Sequence, residues 1–92
     1  MNVKTKIKTG IAIQYDGTNI QKIADVFDLS YRELSCTTIF NGREYSDVII
    51  TDYDYIKEDL LAGDWVFRAD SSDLIEVIPM QEFKKYWEED ER

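Results

Sequence analysis

Apolar and polar positions along the chain change period several times, and each change marks a predicted element. In "VKTKIKTGIAIQY" Lys4, Lys6 and Lys8 alternate with Thr5, Ile7 and Thr9 before the run Ile11-Ala12-Ile13. Period-two patterning rich in β-branched residues predicts a first strand over residues 3–15. Its three lysines fall on one face, where charge guards an outer strand against edge pairing. "DGTN" breaks the strand, and Ile20, Ile23, Ala24 and Phe27 then recur at i, i+3, i+4 and i+7. That spacing predicts a helix over 19–28, capped by Thr18 or Asn19. Asp28 opposes the dipole at the C-terminal end, so the helix is expected to stop there.

After a connector "LSYRE", the runs "LSCTTIF" and "REYSDVII" flank Asn41-Gly42. A type I′ turn needs positive φ at both central residues, which Asn-Gly supplies, so strands are predicted over 34–40 and 43–51. Cys36, among β-branched neighbours, reads as a small buried or half-buried residue. "TDYDYIKEDLLAGDW" is mixed: "DYDYI" alternates like a strand, whereas "IKEDLLAG" can close as one helical turn at Gly63, and the expectation is an extended segment followed by a tight turn at 62–64. "WVFRA" and "LIEVI" bracket Asp70-Ser71-Ser72-Asp73 and predict a second hairpin, with Trp65 and Phe67 on one face and Val66 and Arg68 on the other. Pro79 suits the first position of a last helix over 79–89, striped by Met80, Phe83, Tyr86 and Trp87. Carboxylates 88–91 oppose its dipole and predict an end that frays into an acidic tail, 88–92. The expected fold is α+β: one mostly antiparallel, curved sheet of four to six strands packed with two short helices.

At 92 residues and 43% hydrophobic the chain makes one small domain with one core. No run reaches the roughly 18–20 apolar residues of a membrane span, and "MNVKTKIKTG" has no apolar segment behind its basic residues, so a soluble, cytoplasmic protein is expected. One cysteine and no histidine remove an internal disulfide, imidazole metal ligands and the Ser/His/Asp and Cys/His nucleophile pairs. No enzyme, no cofactor and no metal is therefore expected. The series Asp52, Asp54, Glu58, Asp59 looks like a calcium loop, but Lys57 stands where that loop requires glycine.

Net charge is −8 and unevenly placed: residues 1–43 hold six Lys/Arg against four Asp/Glu, and residues 44–92 hold five against fifteen. An acidic surface repels phosphate, which disfavours nucleic acid and anionic membranes and favours basic partners.

Two motifs frame the chain. Ala12, Gln14, Gly17 and Asn19 spell A-x-Q-x-x-G-x-N ahead of Ile23 and Phe27; Gly63, Asp64, Trp65 and Val66 spell G-D-W-V ahead of Glu76, Phe83 and Tyr86. In their order and spacing they resemble a loose group of small phage and prophage proteins of unassigned function that open with the first pattern and close with a G-D-(W/Y)-(I/V) hairpin. The chain departs from that pattern at Ala62, where the group often has proline, and at Ser72-Asp73, where Gly-Glu is common. The resemblance implies a mobile-element origin and a compact sheet-plus-helix fold; it implies no reaction.

Charge, size and this frame point to a protein that binds and inhibits a host defence or nucleic-acid-processing protein, anti-CRISPR-like or anti-restriction-like, by presenting an acidic surface that mimics nucleic acid. The expected contacts are Asp47, Asp52, Asp54, Glu58 and Asp59, with Tyr53 and Tyr55 as amphipathic anchors. Two alternatives stand beside it. One is a small-ligand sponge for a nucleotide signal, built on Lys4, Lys6, Lys8, Arg43 and Arg68 near aromatics. The other is a phage structural or accessory module, acting as a monomer or as a homodimer formed through a strand edge.

Overall fold

The computed structural model describes residues 2–4, 9–52, 55–70, 74–86 and 88–89. Its elements are β1 (Asn2–Lys4), β2 (Thr9–Gln14), α1 (Ile20–Phe27), β3 (Ser30–Phe40), β4 (Arg43–Thr51), β5 (Lys57–Leu60), β6 (Trp65–Ala69), β7 (Ile75–Ile78), α2 (Met80–Tyr86) and β8 (Glu88–Glu89). The fold is α+β, as the patterning predicts. The single curved sheet is replaced by two: an antiparallel sheet in the order β7-β6-β2-β1-β8 and an antiparallel three-stranded sheet in the order β3-β4-β5.

The reason for two sheets lies in β6, which is buried on both faces. Val66 joins Tyr15, Ile20, Ile23, Phe27, Val48, Ile50, Leu60 and Ala62 in the larger core, fed by both sheets and α1. On the opposite face, Phe67 packs with Ala12 and Phe83, and Trp65 lies against them. Trp65 stacks on Phe83 with ring centroids 3.9 Å apart and planes within 4°. The predicted alternation of Trp65 and Phe67 against Val66 and Arg68 is thus the alternation between two cores. Arg68 lies over the Phe27 ring, 5.6 Å from its centroid, so its cation faces the larger core.

The Asn41-Gly42 hairpin forms as predicted, with φ of 52° and 80°, and the 65–69 and 75–78 strands pair antiparallel. Three boundaries differ from expectation. The predicted 3–15 strand is two strands: β1 runs antiparallel to β2, with Asn2 opposite Ile11 and Lys4 opposite Thr9. Lys6 and Lys8 lie outside the described residues. The "LSYRE" connector is strand: Ser30 to Glu33 pair with Thr51 to Val48, and a bulge separates this arm from the 37–40 arm. "KEDL" is the expected extended segment, a strand pairing along β4 from Thr51–Lys57 to Val48–Leu60. The last helix ends at Tyr86, and Glu88 and Glu89, expected in a frayed tail, pair instead with Lys4 and Val3; residues 90–92 lie outside the described residues.

The loop 16–19 closes on itself. Asp16 Oδ1 accepts from the Thr18 N–H at 2.8 Å and the Thr18 hydroxyl at 2.7 Å, which holds its carboxyl below the usual carboxylate range. Asn19 occupies the helix cap position without capping it. Its side chain accepts from the Asp16 N–H and donates to the Gln14 carbonyl, so it ties strand to helix. At the other end Asp28 adopts a left-handed conformation, φ 56°, and stops α1.

Candidate partner-binding site

Of the seven residues expected to contact a partner, the five that are described fall into three places, two of them at the surface. Asp47 is buried at 8% exposure and accepts a 2.6 Å hydrogen bond from the Thr38 hydroxyl. Its charge is felt by Tyr15 and Asp64, so it belongs to the interior junction between the two sheets. Tyr15 donates to the Ser46 carbonyl at 3.0 Å, and burial together with the Glu33, Asp47 and Asp16 charges pushes its phenol up.

Asp64, in the Gly63-Asp64 turn, accepts from the Leu61 N–H at 3.1 Å and returns its own N–H to the Leu61 carbonyl. Burial pushes its carboxyl up, the Leu61 N–H partly offsets this, and the Asp47 charge adds to the rise. A carboxyl raised in the folded state favours folding when protonated, so its contribution is fully present at low pH and is lost as pH rises from about 4 through the raised value. Asp64→Asn keeps the acceptor for Leu61 and removes the charge. Thermal unfolding followed from acid to neutral pH should show less loss of stability with rising pH than in the wild-type chain, and at pH 7 the variant should be at least as stable.

Asp52 and Tyr55 form the second place. The Asp52 N–H donates to the Ile56 carbonyl, the Tyr55 N–H donates to the Asp52 carbonyl, and Asp52 Oδ1 accepts from the Ile56 N–H at 3.0 Å. This turn leads into β5 and holds Tyr55 at φ 61°, with its side chain 85% exposed and Ile56 exposed beside it. Left-handed backbone costs a non-glycine residue about 1–2 kcal/mol. Here that cost holds an aromatic ring in solvent. An open hollow of about 470 Å³ next to the turn is lined by Asp28, Ser30, Thr51, Asp52 and Tyr55. Tyr53 and Asp54 lie outside the described residues.

Glu58 and Asp59 form the third place, both exposed on β5, an edge strand of the three-stranded sheet. Strand alternation sends them to opposite faces: Glu58 pairs with the buried Ile50 and Asp59 with Ile49. The acids therefore wrap the edge instead of forming one flat row. A second hollow beyond the first is lined by Ser30, Tyr31, Arg32, Ile49, Thr51 and Lys57, so two cations adjoin the acidic rim. Asp28 was missed from the sequence because its helix-stopping position explained it locally; its place on the rim depends on β3 and β4 folding beside it.

Of the cations offered for a nucleotide pocket, the side chains of Arg43 and Arg68 are described. Arg68 is committed to Phe27, and Arg43 is exposed opposite Phe40, where the 41–42 turn closes. Cys36, expected to be buried or half-buried, is exposed on β3. Among the described residues no group of three or more Cys, Asp or Glu is placed to hold a metal ion, and no helix is long and apolar enough to cross a membrane. No protein-family model matches the chain, and neither a curated protein nor a solved structure matches it.

Proposed function

We propose that this chain is a small binding protein that docks on a basic protein partner through the 52–59 turn and edge strand, in the manner of phage-encoded inhibitors of host defence or nucleic-acid-processing proteins. The observation that carries the reading is Tyr55: a strained backbone, tied by the hydrogen bonds around Asp52, presents a tyrosine that is 85% exposed. Strain of this kind is retained where it positions a group for use. Tyrosine is also favoured as an interface anchor, since it buries large area at small conformational cost. Asp28, Asp52, Glu58 and Asp59 surround it with negative charge, which steers a Lys/Arg-lined surface toward the turn and displaces the polyanion that surface otherwise holds. Asp47, which is interior, is no longer among the contacts. Its work is structural.

The test is affinity capture of the tagged chain from bacterial lysate, at low and high salt, beside the Glu58→Lys/Asp59→Lys variant. A basic protein recovered at low salt, lost at high salt and lost with the variant is the expected outcome. Both substitutions are at exposed positions, so the fold is retained. A partner held equally well by wild type and variant would overturn the role given to these carboxylates.

A further inference from the structure

We propose that two copies of this chain pair through the outer edge of β3, related by a two-fold axis at Ser35, to join the two three-stranded sheets into one of six strands. β3 is eleven residues long, lies at the edge of its sheet, and has no strand partner other than β4 among the described residues. The opposite edge, β5, carries Lys57, Glu58 and Asp59 in succession, the kind of charge that blocks edge pairing. On β3 the charges are confined to Arg32 and Glu33, and 34–40 carries none. Those two charges cancel. On a chain of net charge −8, β3 is thus an edge where two copies meet without acid facing acid.

The strand is self-complementary about its centre. Its two regular arms, 30–33 and 37–40, flank a bulge at 34–36, and Ser35 is the middle residue of both strand and bulge. An antiparallel two-fold pairing centred there sets each 30–33 arm against the 37–40 arm of the other copy and each bulge against its mate. The exposed large hydrophobics of β3, Tyr31 and Ile39, the latter 76% exposed, each lie four residues from Ser35, so Tyr31 of one copy meets Ile39 of the other, twice. Arg32 and Glu33 fall opposite Thr38 and Thr37, and no like charges oppose. A shift of one or two residues loses this match and sets bulge against regular arm. The occupant is therefore a second copy of the chain. β5, at the opposite edge of the sheet, takes no part in the pairing, whereas Ser30 at the start of β3 also lines the hollow beside Tyr55.

Two measurements on the full chain test this. Sedimentation equilibrium across a concentration series should give a reversible dimer, and Ile39→Lys, at a solvent-facing position, should weaken it about tenfold or more by removing two symmetric contacts. In a Cys36→Ser background, Ser35→Cys places the introduced thiols directly opposite at about 4.5–5.5 Å between Cα atoms, within disulfide reach, so mild oxidation should give a covalent dimer, whereas Asn41→Cys should not. A chain that stays monomeric at all concentrations, or one that crosslinks equally well through position 41, would overturn the proposal.

Discussion

Phe67→Ala is expected to cost about 3–5 kcal/mol, enough to leave the domain mostly unfolded near physiological temperature. Phe67 is fully buried and sits in the centre of β6, between β2 and β7. Its ring fills the smaller core with Ala12 and Phe83, beneath the Trp65–Phe83 stack. Two of the described groups lining this core are held on opposed elements: Ala12 by the β2–β6 ladder, where it pairs with Phe67 itself, and Phe83 by α2. Collapse into the space left by the ring would have to shift α2 toward the sheet and disturb the Trp65–Phe83 stack, so most of the cavity penalty should remain. Chemical denaturation followed by tryptophan fluorescence checks this, because Trp65 reports on the same core. Phe67→Leu, which keeps much of the volume, should cost markedly less.

Gly17→Ala should be nearly as damaging, by about 2–4 kcal/mol, for a different reason. Gly17 has φ +92°, and a Cβ there would lie 2.2–2.6 Å from the ring atoms of Tyr45. The left-handed backbone penalty and the overpacking penalty are each about 1–3 kcal/mol. Tyr45 cannot swing clear cheaply, since it packs against the larger core. The 16–19 loop is in turn fixed by Asp16, Thr18 and Asn19, so the strain cannot be relieved by moving the loop. The matched control is Gly42→Ala: Gly42 has φ +80° with nothing within 4 Å of a Cβ, so it pays the backbone term alone. The difference between the two melting curves isolates the steric part.

These two residues also show what could be read in the sequence. Asn41-Gly42, the i, i+3, i+4, i+7 stripe of α1 and the alternation of 65–69 are local signals, and each produced its element. The reversal between Lys4 and Thr9 has no glycine, proline or asparagine in 5–8 to announce it, and the same period-two pattern runs through both strands. The 30–33 arm of β3 is exposed along its length, so it has no apolar alternation to detect. Whether the strands form one sheet or two depends on which face of β6 meets which layer, and that is decided by pairing between residues far apart in sequence. Likewise Asp47 looked like its acidic neighbours; its burial and its hydrogen bond from Thr38 depend on the pairing of β3 with β4.

Within the functional account, Tyr55 is where stability and binding separate. Tyr55→Gly removes the ring and relieves the left-handed backbone, so the variant should be as stable as wild type or more so, by about 0.5–1 kcal/mol. The most direct measurement is partner capture from bacterial lysate by the Tyr55→Gly chain beside wild type, with both melting temperatures recorded. The account predicts an equal or higher melting temperature together with loss of the salt-sensitive partner. A lowered melting temperature with capture undiminished would show that Tyr55 serves the fold, and would contradict the site proposed around it.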